Sequence, residues 1–120
     1  MDNKQFKTEF KMRLYNFTLT LIQNLERLPN DNISRRLGDQ LLRSGTSIIG
    51  NFIEGQAASS KKDFINYLNT SLKSSNESKL WVSLLKDVHK LDAAIAEKLL
   101  QELKEISNIL ASIIIKLKNK

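Results

Sequence analysis

Apolar side chains recur along this chain at intervals of three and four residues, the spacing that places them on one face of an α-helix. Such stripes run through four segments, at about 6–28, 33–54, 61–91 and 93–118. The strict alternation that is typical of β-strands is nowhere sustained. Because the connections are short, neighbouring helices must run antiparallel. The sequence therefore predicts one all-α domain over residues 1–120, an antiparallel up-down-up-down four-helix bundle.

The limits of the segments carry recognisable signals. Pro29 is expected to end the first helix, because the residue before a proline avoids the α region. The run Asn30-Asp31-Asn32 supplies turn and N-cap chemistry for the second helix, either Ser59 or Ser60 can cap the third, and Asp92 can cap the fourth. Gly55 is expected to cap the C-terminal end of the second helix.

Two stripes set the expected core of the middle helices. The stripe of the second segment is predicted to begin inward at Ile33, and that of the third to end inward at Val88. Between them, residues 69–76 are poor in strong helix formers and rich in serine and asparagine. We expect these small residues to be buried where helices pack closely, because the apolar phase resumes correctly after them.

The second segment also carries a polar stripe. Arg43, Ser47, Asn51 and Glu54 are spaced four, four and three residues apart and share one helix face. Gly45 and Gly50 interrupt the helix, each at a cost of about 0.5–1 kcal/mol relative to alanine. Their presence predicts close backbone approach at both glycines.

An antiparallel hairpin between the second and third segments brings Arg43 near Glu77. We predict an ion pair there, at a boundary between helices or between subunits. If the pair is partly buried, removal of one partner would leave an uncompensated charge at a cost of about 3–5 kcal/mol. The alternative to this packing role is a ligand or partner site on the stripe.

Several helices have a second apolar edge. It consists of Ile22, Leu42, Ile49, Ile53, Leu84, Leu100, Ile114 and Ile115. Surplus apolar surface predicts self-association, whereas a wide core stripe would account for the same residues in a monomer.

The chain has 19 Lys and Arg against 13 Asp and Glu, a net charge of +6, which permits a polyanionic partner. The candidate phosphate contacts lie on the middle two helices: Arg35, Arg36, Lys61, Lys62, Lys73, Lys79, Lys86 and Lys90. The alternative is a solvated basic surface that serves solubility. The phenylalanines are expected in the core, so a base-stacking platform is not supported.

Other classes of chemistry lack their residues. There is no cysteine, and His89 is the single histidine, so neither a zinc nor a di-iron site has its ligands. No nucleophile elbow or phosphate-binding glycine loop is present. We therefore expect no enzyme and no cofactor. The absence of a membrane-length apolar run or signal-peptide pattern predicts a cytoplasmic protein with no membrane partner.

Motifs on the two middle helices resemble a known family. The residues are Arg43, Ser44, Ser47, Asn51, Glu54 and Gly55, then Phe64, Leu68, Ser74 and Glu77. This order resembles the signature of the bacterial four helix bundle protein family, first recognised in intervening sequences of large-subunit ribosomal RNA genes. The resemblance covers residues 10–118. Phe52 and Ile53 depart from the usual isoleucine and alanine, and Ser71 and Lys73 from the usual alanine and glycine.

The resemblance implies a bundle that assembles into a ring, commonly a pentamer, and it implies no catalytic residues. The chain is also similar to the accessory variability proteins of diversity-generating retroelements, basic pentamers that bind a reverse transcriptase and nucleic acid. The prediction is a non-catalytic homo-oligomeric scaffold that contacts RNA or DNA through basic patches. The alternative is a protein–protein adaptor without a nucleic-acid role, and basic side chains scattered among acids would favour it.

Overall fold

The computed structural model describes residues 3–120 and confirms the four-helix bundle. The four helices are α1 (Asn3–Leu25), α2 (Asn32–Gln56), α3 (Lys61–Asp87) and α4 (Ala93–Lys118). The bundle measures 47 × 23 × 20 Å. α3 packs on both α2 and α4, whereas α1 packs more extensively on α2 than on α4.

Three helices begin at the predicted caps. The Asp31 carboxylate accepts a hydrogen bond from the Ser34 amide at 2.8 Å. The Ser60 hydroxyl accepts one from the Asp63 amide at 3.1 Å, and Asp92 accepts one from the Ile95 amide at 3.2 Å. Each side chain satisfies an amide that has no partner within its helix.

Two predicted helix ends were wrong. α1 ends at Leu25, before Pro29, because the chain tightens into two turns with i→i+3 hydrogen bonds at Arg27 and Leu28. Gly55 is not a C-cap: it is buried inside α2, which continues to Gln56. Its role is close packing, since a Cβ there would lie 2.9 Å from the Cβ of Tyr67 on α3.

The third helix ends at Asp87, before the predicted limit of residue 91. His89 has a φ of 61°, the left-handed conformation that glycine adopts most easily. The Lys90 amide donates to the Leu85 carbonyl at 2.9 Å, and the His89 amide to the Lys86 carbonyl at 3.0 Å. This pair of bonds is a Schellman motif with histidine at the usual glycine position.

The core follows the predicted stripes with two exceptions. Its largest fully buried side chains are Phe52, Leu14, Leu21, Leu41, Ile48, Leu68, Leu85, Leu103, Ile106 and Leu110. Ile33 and Val88, predicted to face inward, are 49% and 43% exposed. Both lie at helix ends, Ile33 in the first turn of α2 and Val88 beyond the last residue of α3, where a stripe extends past the packed layer.

The two glycines of the second segment differ. Gly45 is buried, and a Cβ there would overlap the side chain of Leu21, so α1 approaches α2 closely at this point. Gly50 is exposed, and no neighbouring heavy atom lies within 4 Å of the position that a Cβ would take. Close approach is therefore confirmed at Gly45 and wrong at Gly50.

Candidate functional site

A polar seam joins α2 to α3, and it contains several of the motif residues. The hydroxyls of Ser44 and Ser78 lie 2.8 Å apart, and the Ser74 hydroxyl donates to Ser47 at 2.8 Å. The Asn51 amide donates to the Ser47 hydroxyl at 2.8 Å and to its carbonyl at 2.9 Å. Ser47 and Asn51 of the stripe therefore have hydrogen-bond partners within the seam and are not presented to a ligand.

The serines within residues 69–76 are buried on both sides of α3, as predicted, whereas Thr70 and Asn76 are exposed. Ser71 donates to the Ile48 carbonyl of α2 at 2.7 Å. Ser75 faces α4, where its hydroxyl lies 2.7 Å from that of Ser107. Among the described residues, every buried side-chain nitrogen and oxygen has a hydrogen-bond partner. Serine thus allows α3 to pack closely between two helices at no cost in unsatisfied groups.

The predicted ion pair between Arg43 and Glu77 is present. Trp81 donates its indole N–H to the same carboxylate at 3.0 Å, and Arg43 also donates to Gln40. The Arg43 side chain is 59% exposed and that of Glu77 is 34% exposed, so we expect loss of one partner to cost less than in a buried pair. Exposed pairs contribute about 0.2–1 kcal/mol.

The other motif residues also serve packing. Leu68 is fully buried, and the half-buried Phe64 lies against Gly55, where a Cβ would approach its ring to 3.1 Å. Glu54 is exposed and lies outside the seam of hydroxyls. The motif therefore describes how α2 and α3 fit together, and its Phe64 also lines a cavity between α1 and α4.

The eight candidate phosphate contacts are not gathered on one face. Arg35, Arg36, Lys86 and Lys90 lie where α2 begins and α3 ends, whereas Lys61 and Lys62 lie at the start of α3 and Lys73 and Lys79 between. At 1.5 Å per residue, the two ends of α3 are about 40 Å apart. Acids also neutralise part of the set. Lys90 pairs with Asp31 at 3.1 Å, and Lys86 with Glu97 at 2.9 Å.

These pairings shift titration in the expected directions. The Ser34 amide and the Lys90 ammonium hold the pKa of Asp31 below its ordinary value. Glu97 raises the pKa of Lys86. The end of the bundle that includes residues 22–40 and 84–99 carries six basic and six acidic side chains and is therefore electrically balanced.

The opposite end is strongly basic. It comprises residues 3–11, 51–67 and 108–120, and we call it the lysine-rich end. Its lysines are Lys4, Lys7, Lys11, Lys61, Lys62, Lys116, Lys118 and Lys120, and its acids are Glu9, Glu54 and Asp63. The Lys61 ammonium donates to the Lys120 carbonyl at 3.2 Å, which joins the start of α3 to the end of α4. Most of the net charge of the chain is therefore concentrated here.

Sequence reasoning missed this surface because it searched for basic residues within individual helices. The signal was available in the topology. In an up-down-up-down bundle the first turns of α1 and α3 lie beside the last turns of α2 and α4. Lysines at the two starts and at the end of α4 must then lie at one end.

Apolar side chains are exposed on all four helices. Met12, Tyr15 and Leu19 follow one another at helical spacing on α1 and are 51%, 52% and 42% exposed. On α3, Leu80 and Leu84 are 52% and 36% exposed. From the second apolar edge, Leu42, Ile53, Leu84 and Ile115 are exposed, whereas Ile114 belongs to the core. Patches of this kind commonly mark interaction surfaces.

Among the described residues we looked for clusters of metal ligands and for helices that could span a membrane. Within residues 3–120 no group of three or more His, Asp or Glu side chains could hold a metal ion. His89 stands exposed at a helix terminus, where its role is conformational. None of the described helices has both the length and the hydropathy to cross a bilayer.

The fold and the α2–α3 motif can be compared with known proteins. The model of the 23S rRNA-intervening sequence protein family matches residues 7–112. The chain belongs to this family. A similar crystal structure is that of a protein of unknown function from the S23 ribosomal protein family of Bacteroides thetaiotaomicron VPI-5482, with 33% identity and a TM-score of 0.84. The similarity covers 90% of this chain and 96% of that chain. No curated protein matches.

Membership of the 23S rRNA-intervening sequence protein family confirms the resemblance carried by the motif residues. The motif residues that carry the resemblance all lie within the matched range, and several of them form the α2–α3 seam. The lysine-rich end lies partly outside the matched range, since Lys116, Lys118 and Lys120 follow residue 112.

Proposed function

We propose that this protein is a non-catalytic, cytoplasmic nucleic-acid-associated scaffold that contacts phosphates through its lysine-rich end. The observation that carries the proposal is the gathering of eight lysines against three carboxylates at that end. Within residues 3–120, no ion pair neutralises Lys7, Lys11, Lys61, Lys62, Lys116, Lys118 or Lys120. The name of the family refers to 23S ribosomal RNA, and this supports RNA as the first ligand to test.

Charge density is the physical basis. A polyanion gains free energy by releasing condensed counterions when several cations meet its phosphates together. The lysine-rich end has a cross-section of about 23 × 20 Å, wide enough for several lysines to reach neighbouring phosphates. The balanced opposite end offers no comparable field, since its acids cancel its bases.

The test replaces Lys11, Lys61, Lys62 and Lys118 by glutamine. All four are exposed and none belongs to the core. Binding to structured RNA and to duplex DNA is measured across a salt series with nuclease-treated protein. The slope of log affinity against log salt should fall by about 0.9 for each lost contact on duplex DNA, and by about 0.7 on single strands.

The matched control replaces Arg35, Arg36, Lys73 and Lys79 by glutamine, which removes the same charge elsewhere. We expect this variant to retain most of the wild-type affinity and slope. Equal losses in both variants would mean that only net charge matters, and the lysine-rich end would then have no special role. Wild-type binding that vanishes by about 150 mM salt would contradict the proposal as a whole.

A second role is supported by the exposed apolar stripes, namely assembly of several copies of the chain into a homo-oligomer. The family resemblance favours a pentameric ring. Helical stripes such as Met12, Tyr15 and Leu19 suit helix–helix contact between subunits, because apolar area is removed from water on both sides. A ring would repeat the lysine-rich end several times and raise its effective affinity for one nucleic acid.

Native mass spectrometry and sedimentation velocity test assembly. Leu19→Glu should dissociate the oligomer, whereas Thr20→Glu, at an exposed polar position about 100° further around the same helix, should leave it intact. A monomeric wild-type protein at micromolar concentration would rule out the ring.

A protein partner such as a reverse transcriptase would use the same stripes in the adaptor alternative. That alternative gains support if the protein is monomeric and fails to bind RNA.

A further inference from the structure

A groove lies between α1 and α4 at the lysine-rich end, beside the lysines proposed to contact phosphates. Its volume is about 580 Å³, within the range of small-molecule sites. The floor is apolar and includes Phe52, Phe64, Ile109, Ile113 and Leu117. The rim carries Lys7, Lys116 and Lys120. We call this feature the α1–α4 groove.

The groove exists because α1 packs more extensively on α2 than on α4. Gly45 lets α1 approach α2 closely at Leu21, whereas the seam with α4 is held at Arg13. Arg13 donates two hydrogen bonds to Glu102, at 2.7 and 2.9 Å, and one to Glu105 at 2.9 Å. Beyond this clamp the first turns of α1 stand away from α4 and leave the apolar floor open.

The shape of the groove selects an elongated ligand. Its lining residues on α4 run from Asn108 to Leu117, which is about 14 Å of helix at 1.5 Å per residue. Phe6 of α1 also lines the groove, and its ring stacks on Phe10 at a centroid distance of 6.1 Å. A linear chain fits such a slot better than a compact fused ring does.

The rim selects charge. The Lys7 ammonium lies 5.3 Å from the centre of the Phe64 ring and is thereby held over the floor. Lys116 lies in the last turn of α4 and Lys120 just beyond the helix, and both line the outer end of the groove. The groove is thus lined by cations, and no carboxylate is among its lining residues in the described part of the chain.

From the apolar floor and the cationic rim together, we propose that the α1–α4 groove binds a linear amphipathic monocarboxylate of medium chain length. The alkyl chain lies along Ile109, Ile113 and Leu117, and the carboxylate is held by Lys116 and Lys120. The groove shares Lys7, Lys116 and Lys120 with the lysine-rich end, but the two sites are tested separately because the phosphate test replaces none of these three lysines.

Isothermal titration with decanoate tests the proposal, with decan-1-ol and acetate as matched ligands. We expect saturable binding of one decanoate per protomer, and weaker binding of both matched ligands, since one lacks the charge and the other the chain. Ile113→Trp should abolish binding by filling the groove, whereas Ile115→Trp, on the exposed face of α4, should not change it.

The charge test is a matched pair of double variants. Replacing Lys116 and Lys120 by glutamine should weaken decanoate about fivefold, the size expected for an exposed ion pair. Replacing Lys62 and Lys118 removes the same charge outside the groove and should change affinity less than twofold. The proposal would be overturned if both double variants lost the same affinity for decanoate. It would also be overturned if decan-1-ol bound as tightly as decanoate, or if decanoate binding did not saturate. Unfolding midpoints measured for every variant establish that the fold is intact.

Discussion

The close approach of α1 to α2 at Gly45 leads to a quantitative prediction. Alanine at this position gains about 0.8–1.0 kcal/mol in helix propensity. The added Cβ overlaps the side chain of Leu21, which is fully buried and cannot move into solvent. Overpacking of this kind costs about 1–3 kcal/mol. We therefore expect Gly45→Ala to lower the free energy of unfolding by up to about 2 kcal/mol.

A double-mutant cycle isolates the contact. Leu21→Ala removes the overlapping atoms and by itself costs about 2–5 kcal/mol. In that background Gly45→Ala should stabilise the protein by about 0.5–1 kcal/mol, because only helix propensity remains. The sign of the alanine effect thus reverses between the two backgrounds. Leu21→Val serves as a milder first mutation if the alanine variant does not fold.

The assay is urea denaturation followed by far-UV circular dichroism at one fixed protein concentration, since assembly would otherwise shift the midpoint. Gly50→Ala is the control in the same helix. Its Cβ meets no atom within 4 Å, so it should stabilise by about 0.5–1 kcal/mol in either background. If Gly45→Ala had the same effect with Leu21 and without it, the contact between α1 and α2 would not explain this glycine.

Three further predictions concern helix ends and charge. His89→Gly should stabilise the protein by about 0.5–1 kcal/mol, because glycine relieves the left-handed backbone; an unchanged urea midpoint would contradict this. The pKa of Asp31 is lowered in the folded protein. The ionised carboxylate therefore stabilises the fold fully when the pH is above the ordinary pKa of an aspartate, and this stabilisation is lost as the pH falls through the folded pKa. The melting temperature of wild type should therefore converge on that of Asp31→Asn in acid, and a constant gap down to about pH 3 would count against the cap. Arg43→Glu should cost about 1 kcal/mol or less, and added Glu77→Arg should restore part of it; no recovery would mean the ion pair is not stabilising.

Much of the fold follows from local chemistry that can be read without a structure. The spacing of apolar residues predicted four helices, and Asp31, Ser60 and Asp92 cap three of them because a side-chain oxygen satisfies a free amide wherever the chain turns. The register of the α2–α3 hairpin also followed, since a short loop fixes which residues face each other. For this reason the pair of Arg43 and Glu77 could be placed in advance.

Helix ends and exposure needed the folded chain. Nothing in a stripe says where packing stops, so Ile33 was predicted to be buried and is half exposed. Gly45 and Gly50 look alike in sequence, and only the position of α1 distinguishes a tight contact from open solvent. Gly55 was predicted to cap its helix, but the aromatic side chains of α3 lie so close to it that there is little room for a Cβ.

In the candidate sites, too, some properties follow from the sequence alone and others only from the tertiary structure. The sequence determined the net charge and the lysines, because these are properties of composition. Their distribution was decided by tertiary structure, since three helix termini distant in sequence meet at one end of the bundle. The α1–α4 groove could not be predicted from any one helix. It arises because α1 packs closely on α2 and is linked to α4 through the Arg13 clamp, a balance that exists only when all four helices are assembled.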